Sequence, residues 1–335
     1  MYDISAIGEL LVDFTECGSS ASGMRLFEQN AGGAVTNMLA AAARCGASTA
    51  FLGKVGSDMH GYFLKKAMED AGVDMRGLVM ADDVFTTMAF VALAQNGERQ
   101  FSFARKPGAD ACICESELDK QVLHNTRILH TGSLSLTDEP ARTATYRAIE
   151  IAKAAGAIIT YDPNYRASLW HSRQDAAQGM RSLIATADII KLSDEETALL
   201  TGESDPELAS NKLCNAGASI VAVTLGANGA LVRVGSQIRR IPGFLANVVD
   251  TTGAGDAFFG GFLYSFLQSG IKLEHVSIHD AADFAEFGNA VASLCVERRG
   301  GIPAMPALGD VISRMREQER PYKESLIDNT KKLTN

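Results

Sequence analysis

The strongest chemical signal in the chain is the run DTTGAGD, which extends from Asp250 to Asp256. An apolar run with turn residues, Ile241 to Val249, precedes it, and a helix-like run, Ala257 to Gln268, follows it. The two glycines therefore lie where a loop becomes the N-terminus of a helix, and the free backbone N–H groups there can bind an anion. Asp256 adds a base in the first helical turn. An anion site beside a base suits transfer of a phosphoryl group to a hydroxyl, because the protein then mainly positions the reactants and stabilises spreading charge.

The sequence excludes two other phosphate-binding loops. A Walker loop needs Gly-x-x-x-x-Gly-Lys-Ser/Thr, and the nearest spacing, Gly56 to Gly61, is followed by Tyr62 in place of the lysine. A dinucleotide-binding fingerprint needs a Gly or Ala three residues after Gly255, where this chain has Phe258.

Composition narrows the class of protein further. The chain has 335 residues, of which 46% are hydrophobic and 21% charged, and its net charge of −9 argues against a nucleic-acid or anionic-membrane partner. No apolar run reaches the roughly 18 residues of a membrane span, and the N-terminus lacks the basic region of a signal peptide, so we expect a cytoplasmic protein. The six cysteines are scattered, which favours reduced thiols, and the cysteines and histidines lack zinc-ligand spacing.

Strand-length apolar runs alternate with longer helical patterns. The predicted strands are Ile4–Leu11, Ala50–Val55, Arg127–Thr131, Ala157–Tyr161, Asp188–Leu192 and Ile220–Thr224, and the predicted helices include Ala34–Cys45, Met59–Ala71 and one that begins near Thr137 or Asp138. This alternation predicts an α/β fold with helices on both faces of a parallel sheet. Ligands bind beyond the carboxyl ends of the strands in such sheets. The residues expected just past those ends are Asp13, Asp162, Ser193 and Gly226.

Two further stretches predict a small β lid on a single domain spanning residues 1–335. The lid regions are residues 12–30 and 86–105, and the second contains the strand-like runs Thr86–Ala94 and Arg99–Ala104. Asn96-Gly97 between those runs is a hairpin signal. The face that carries Phe90, Phe101 and Phe103 would need a cover, so we expect substrate or a second subunit to close it, which predicts a homodimer through the lid.

These motifs together resemble the ribokinase-like (PfkB) carbohydrate kinases, from Ile4 to about Pro306. Asp250–Asp256 resembles the C-terminal signature of the family, and Gly32–Asn37 resembles its N-terminal double-glycine signature. The segments that resemble fructokinases in particular are Gly8–Phe14, Arg105–Asp110, Asp162–Arg166 and Lys191–Glu196. The resemblance implies a ribokinase-like three-layer α/β/α domain with a mostly parallel central sheet and a small β-sheet lid.

The resemblance also implies roles for individual residues on the sugar side. Asp256 would be the catalytic base, and the amides around Gly253, Ala254 and Gly255 would hold the transferring phosphoryl group. The residues implied in sugar binding are Asp13, Gly32, Gly33, Asn37, Arg105 and Arg166. A carboxylate such as Asp13 can accept from two hydroxyls, the glycines permit close approach of the backbone, and closure of the lid could bring Arg105 over the sugar.

On the nucleotide side the resemblance implies ATP as co-substrate and cations as cofactors. The implied ATP-binding residues are Ser193, Thr224, Gly226, Gly229 and Asn289, with Ser193 in place of the family's Asn. Glu196 resembles the glutamate that positions hydrated Mg²⁺, an ion that usually keeps several waters. Asp250 and Thr252 resemble the side chains of a monovalent-cation site, which makes K⁺ a second candidate cofactor. A predicted closing strand, Arg299–Ala304, has Ala304 where some potassium-dependent members have Ser.

The sequence therefore predicts an ATP-dependent sugar kinase, with D-fructose converted to fructose 6-phosphate as the main hypothesis. A 2-keto-3-deoxygluconate kinase is the alternative, because Arg105 and Arg166 could bind its carboxylate in the bidentate geometry that arginine favours; ribokinase or another sugar kinase of the family ranks lower. A catalytically silent sugar sensor is opposed by the intact Asp256, Gly253 and Gly255. A nucleotide-binding structural protein would not require the sugar-side residues.

Overall fold

The computed structural model describes residues 1–93 and 99–320, which form two β-sheets and ten α-helices. In chain order the strands are β1 Tyr2–Ile7, β2 Leu11–Ser19, β3 Arg25–Gly32, β4 Thr49–Gly56, β5 Val73–Ala81, β6 Met88–Leu93, β7 Arg99–Ala104, β8 Thr126–Gly132, β9 Ile158–Asp162, β10 Ile189–Ser193, β11 Ile220–Thr224, β12 Ala230–Val234 and β13 Gln237–Ile241. The helices are α1 Ala34–Arg44, α2 Met59–Asp70, α3 Lys120–His124, α4 Ala141–Ala154, α5 Arg173–Arg181, α6 Thr197–Thr201, α7 Pro206–Asn215, α8 Ala254–Ser269, α9 Ile278–Cys295 and α10 Leu308–Glu317.

The large sheet has nine strands in the order β13-β12-β11-β10-β9-β8-β1-β4-β5. Its neighbouring strands are parallel except at one edge, where β12 pairs antiparallel with both β11 and β13. Two apolar clusters cover its faces, because successive residues of each strand point to opposite sides: Ile189 packs in one cluster and Ile190 in the other. The predicted α/β fold with a mostly parallel sheet is confirmed.

The small sheet has four strands in the order β3-β2-β6-β7, in which β2 and β6 are parallel and the outer pairs antiparallel. The register of β6 on β7, from Met88 opposite Ala104 to Leu93 opposite Arg99, agrees with two strands joined by a hairpin. The predicted turn at Asn96-Gly97 lies outside the described residues. The small sheet leads directly into the large unit, because β3 ends at Gly32 and α1 begins two residues later at Ala34.

Several predicted elements differ from the structure. The apolar run Ile4–Leu11 is not one strand: β1 ends at Ile7 and Leu11 begins β2, so Asp13 is the third residue of a strand in the small sheet rather than a residue just past β1. Apolarity continues across this change of sheet because Leu10 and Leu11 are both buried. The predicted closing strand Arg299–Ala304 is also wrong, since this segment is irregular and ends in a 3₁₀ turn, Ile302–Ala304.

Other elements were not predicted. The strand β5 lies at the edge of the large sheet, where exposed polar residues such as Asp74 and Arg76 interrupt the apolar pattern. The antiparallel edge strand β13 likewise begins with four exposed residues. Among the helices of the described ranges, none is long and apolar enough to cross a membrane.

Candidate active site

The predicted anion loop is the N-terminus of α8. Gly253 is the N-cap residue and has a left-handed backbone with φ of 75°, a conformation that favours glycine. A Cβ at this position would also lie 3.2 Å from Met305 Cε and 3.4 Å from Asn37 Nδ2. The first-turn N–H groups that follow have no acceptor within the helix, and that of Ala254 donates to the Thr251 carbonyl oxygen outside the helix at 3.3 Å. The loop therefore has a backbone geometry suited to an anion, and its role as the phosphoryl site stays a prediction.

Asp256, the third residue of α8, is held by two side-chain amides. Asn37 Nδ2 donates to Asp256 Oδ2 at 2.8 Å, and Asn164 Nδ2 donates to Asp256 Oδ1 at 3.1 Å. The residue is 7% exposed. Burial is the main cause that raises the pKa of Asp256 to about 6, while Lys191 and the Asn37 amide act in the opposite direction. A fixed carboxylate with such a pKa can accept a proton near neutral pH.

A cavity of about 410 Å³ opens above this carboxylate, between the small sheet and the N-terminus of α8. The predicted site residues that line it are Asp13, Gly33, Asn37, Arg166, Thr252, Gly253 and Asp256. The volume is in the range of pockets that hold small ligands. Residues separated by more than 200 positions in the sequence thus line one concave site, and the role of this site in sugar binding stays a prediction.

Asp13 supplies a second carboxylate to this cavity. Burial is the main cause that raises the pKa of Asp13 to about 7, and the nearby Arg166 guanidinium partly offsets it. Gly32 makes room for this side chain, because a Cβ there would lie 2.2 Å from Asp13 Oδ2. Gly33 is needed for a different reason: its φ is 124° and a Cβ would lie 2.5 Å from the Glu9 carbonyl oxygen.

Arg105, which the sequence placed over the sugar after closure of the lid, has internal partners in this structure. Its side chain is 3% exposed, and its Nε donates to Asp110 Oδ2 at 2.8 Å. The remaining guanidinium nitrogens donate to Thr137 Oγ1 at 2.8 Å and to the Leu134 carbonyl at 3.0 Å. Arg105 is not among the residues that line the cavity. These internal partners hold Arg105 between the segments that follow β7 and β8, and of the two arginines Arg166 is the one that lines the cavity.

Three functional candidates were not assigned from the sequence. Asn164, which holds Asp256, has a positive φ of 44°, a conformation that asparagine adopts more readily than most residues; its position after a buried strand was the available signal. Glu9 lines the cavity and accepts from the Ala34 N–H at 2.6 Å. Lys191 lies buried behind the anion loop. No sequence spacing revealed the last two, because each acts across different elements.

The predicted ATP-binding residues lie at the ends of neighbouring strands. Ser193 and Thr224 are paired residues at the ends of β10 and β11. Gly226 and Gly229 have positive φ values of 57° and 87°. Asn289 donates at 3.3 Å to the carbonyls of Ile241 and Pro242, the segment that also packs against Gly229. These five residues lie outside the lining of the Asp256 cavity.

Glu196 links the loops that follow β9 and β10. Its Oε1 accepts from the Tyr165 N–H at 2.6 Å, and its Oε2 accepts from the Ser193 N–H at 2.8 Å and from Ser193 Oγ at 2.9 Å. Within the described residues, no cluster of three or more His, Cys, Asp and Glu side chains has the arrangement of a metal site. The single carboxylate of Glu196 fits Mg²⁺, because this ion keeps several waters and uses one or two carboxylates plus substrate phosphates.

Asp250 ties the anion loop to the segment after α9. Its Oδ1 accepts from the Thr252 N–H at 2.9 Å, and its Oδ2 accepts from the Gly300 N–H at 3.1 Å. These two bonds hold Asp250 between the anion loop and the segment after α9. The monovalent-cation role of Asp250 and Thr252 stays a prediction.

The sheet order, the small sheet beside it and the helix-terminal loop facing a desolvated carboxylate together define a ribokinase-like phosphotransferase. Residues 1–308 match the family model described as "pfkB family carbohydrate kinase", and the chain therefore belongs to this family. The resemblance drawn from the sequence is thereby confirmed.

Individual relatives agree with this assignment. Fructokinase-1 of Oryza sativa subsp. japonica is 38% identical over 315 residues, covering 93% of this chain and 97% of the relative, and fructokinase-1 of Zea mays is 37% identical over 312 residues, covering 92% and 96%. The crystal structure of a Xylella fastidiosa fructokinase with bound ATP has a TM-score of 0.84 at 34% identity and covers 95% of this chain and 99% of that one. A Vibrio cholerae fructokinase with fructose, ADP and calcium ion bound has a TM-score of 0.83 at 30% identity, with coverage of 93% and 98%.

Proposed function

We propose that this carbohydrate kinase transfers the γ-phosphoryl group of ATP to D-fructose and releases fructose 6-phosphate and ADP. The carrying observation is the carboxylate of Asp256, held by two amides on the floor of a cavity that also presents Asp13 and Arg166. The substrate is supported by relatives named as fructokinases or probable fructokinases at 37–40% identity, of which this chain covers 79–98%.

In the proposed reaction Asp256 accepts the proton of the C6 hydroxyl while the oxygen of that hydroxyl forms a bond to the γ-phosphorus. The bond between this phosphorus and the oxygen bridging to the β-phosphate breaks, and ADP leaves with that oxygen. The backbone N–H groups of Gly253, Ala254 and Gly255 stabilise the charge that spreads over the phosphoryl oxygens. Asp13 accepts from sugar hydroxyls and fixes which hydroxyl faces Asp256, so that orientation supplies part of the rate.

The cations belong to the proposal as well. Glu196 would hold hydrated Mg²⁺ through its waters, and bound Mg²⁺ would neutralise phosphate charge. Asp250 and Thr252 would hold K⁺ and order the anion loop. Activity with KCl, compared with choline chloride at equal ionic strength, tests the K⁺ site; equal rates in both salts would contradict it.

The alternative hypothesis, a 2-keto-3-deoxygluconate kinase, was based on two arginines that could both bind the carboxylate of the substrate. The internal bonds of Arg105 with Asp110 and Thr137 weigh against that clamp, because only Arg166 remains in the cavity. ATP turnover with fructose, keto-deoxygluconate, ribose, glucose and adenosine separates the hypotheses. We expect fructose to give the highest kcat/KM; turnover of keto-deoxygluconate without fructose would contradict the proposal, and a complete lack of turnover would favour a silent sensor.

Homodimerisation through the small sheet is also proposed. Phe90 stacks on Phe14 with ring centroids 5.2 Å apart and meets Phe27 edge-on at 6.1 Å. Phe90 is nevertheless 38% exposed, and Phe27, on β3 and on the same face of the sheet, is 36% exposed. Phe103 does not share this face as predicted, because it pairs with Ala89 and lines the cavity on the other side of the sheet. A second copy of the sheet would cover this apolar face. The single domain of residues 1–335, the lid role of residues 12–30 and 86–105, and the cytoplasmic location stay predictions.

A further inference from the structure

A buried ion pair lies behind the anion loop and has no part in the reaction described so far. Lys191 Nζ lies 2.8 Å from Asp162 Oδ2, and the two side chains are 5% and 3% exposed. They stand side by side because Lys191 on β10 and Asp162 on β9 follow the paired residues Ile190 and Tyr161. Burying an ion pair costs several kcal/mol per ion, and well-packed apolar residues are often at least as stable. Fold stability alone is therefore a weak reason for this pair.

The pair is also incompletely satisfied. Asp162 Oδ1 is buried and has no hydrogen-bond partner among the described residues. A network built for stability would satisfy both carboxylate oxygens, because an unpaired buried acceptor is costly. The arrangement instead leaves Asp162 as a counter-ion for Lys191.

The ammonium group packs directly against the loop that binds the phosphoryl group. A Cβ at Gly255 would lie 2.7 Å from Lys191 Nζ and 3.5 Å from its Cε. Gly255 lies inside α8 and, unlike Gly253, has no left-handed backbone that would require glycine. The lysine therefore explains the second glycine of the loop: it leaves space for a positive charge at the first turn of α8.

We propose that Lys191 is a positioning residue for phosphoryl transfer, whose ammonium, anchored by Asp162, places a fixed positive charge behind the anion loop and beside the first turn of α8 that carries Asp256. This inference rests on the proposed role of Asp256 as the base. It differs from a stabilising role because it requires the charge of Lys191 and not merely its volume.

The charges around Asp256 predict in which direction its pKa changes when Lys191 or Asp162 is replaced. The charged or titratable groups that interact with Asp256 are Lys191, Asp162, Arg166, Glu9, Asp13 and Cys295. Lys191 lowers the pKa of Asp256, whereas Asp162 raises it. Burial opposes the charged form of Lys191, but Asp162, Glu196 and Asp256 outweigh it and raise the pKa of the ammonium, so it stays charged. His130 on β8, the strand next to the β9 strand of Asp162, is neutral, because burial lowers its pKa to about 3.

The test compares Lys191→Met, Asp162→Asn and the double variant that carries both changes. The acid limb of the pH profile of kcat reports Asp256, because the bound sugar then holds Asp13 in its ionised form. This limb should move to higher pH in Lys191→Met and to lower pH in Asp162→Asn, each by roughly one unit. The kcat of Lys191→Met should fall at least about tenfold while the KM for ATP changes less than about threefold. Lys54→Met is the matched control, since it removes an ammonium from another partly buried pair, with Glu117 at 2.7 Å, and should leave the acid limb in place.

The double variant separates positioning from stability. It removes both buried charges, so its Tm should return to near the wild-type value while its kcat stays low. A double variant that recovers both Tm and kcat would show that the pair is only structural, and acid limbs that move together or not at all would also overturn the inference. Wild-type enzyme without sugar kinase activity, or a fully active Asp256→Asn variant, would instead contradict the proposed function.

Discussion

The substitution Asp13→Asn should lower activity and raise stability at the same time. Asp13 is the third residue of β2 and lines the cavity with Asp256 and Arg166. Burial is the main cause that raises the pKa of Asp13 to about 7, so at neutral pH the fold holds a carboxylate that it solvates poorly. Asparagine has nearly the same shape without the charge, which isolates the contribution of the carboxylate.

The activity loss follows from the hydrogen bonds to the sugar. A hydrogen bond to a charged group contributes about 1.5–3 kcal/mol, and a carboxylate can accept from two hydroxyls. Loss of two such bonds would lower kcat/KM for fructose by about 10²–10⁴-fold. The predicted nucleotide contacts lie on other elements, at the ends of β10 and β11 and on α9. The Kd for ATP should therefore change less than about twofold.

The stability gain depends on pH with a definite sign. The pKa of Asp13 is about 7 in the folded protein against 3.8 for the ordinary side chain, so the folded state binds the proton more tightly. Its contribution to stability is fully present below the unfolded pKa and is lost as pH rises through about 7. An asparagine at this position does not ionise, so the variant does not lose this stability as the pH rises. Because Asp13 is not fully shielded from water, we expect a gain of about 1–2 kcal/mol at pH 8, or a few degrees in Tm, and a smaller gain at pH 5.

Steady-state kinetics, calorimetric titration with ATP and thermal melts between pH 5 and 8 measure these three effects. Asp82→Asn is the control, because Asp82 is exposed and does not line the cavity, so this variant should keep the wild-type activity and gain no stability. Unchanged fructose kinetics would remove Asp13 from the site. Equal loss of sugar and ATP binding would indicate a disturbed fold, and a Tm difference independent of pH would refute the electrostatic argument.

Three other perturbations test neighbouring parts of the structure. The wild-type kcat/KM should fall on the acid side with an apparent pKa between about 6 and 7, because Asp256 and Asp13 must both be ionised; a flat profile from pH 5 to 8 would contradict this. Arg105→Lys should lower Tm, because Asp110 and Thr137 lose the guanidinium, yet leave the KM for fructose within about threefold; a large rise in KM at unchanged Tm would return Arg105 to the sugar site. Sedimentation at micromolar concentration should show a dimer that Phe90→Lys dissociates, and a wild-type monomer would contradict the role of the small sheet.

Much of the fold could be predicted because its core strands are continuous apolar runs. Ile220–Thr224 is predicted to the residue, and α1 and α2 differ from prediction by one residue at the C-terminus. Burial of a parallel strand on both faces enforces such a run. The edge strands β5 and β13 carry exposed polar residues and gave no comparable signal.

Some features of the site depend on one short run of sequence, and others depend on contacts between distant elements. The anion loop and Asp256 are predictable because the glycines and the carboxylate occur in one short run with a local conformation. The contacts between side chains of distant elements cannot be predicted in this way. Nothing in the spacing shows that Arg105 is engaged by Thr137, that Asn164 holds Asp256, or that Lys191 packs on Gly255, since each contact arises only when separate strands are placed side by side.

The position of the new phosphate ester, measured for wild type and Asp256→Asn, tests the central claim most directly. Fructose and MgATP would be converted under saturating conditions, and two-dimensional ³¹P–¹H NMR would identify the carbon that carries the phosphate. The proposal predicts coupling to the C6 protons with the wild-type enzyme and a kcat about 10²–10⁴-fold lower in Asp256→Asn, at unchanged ATP affinity. A phosphate on C1, or a variant that retains more than about a tenth of the wild-type kcat, would contradict it.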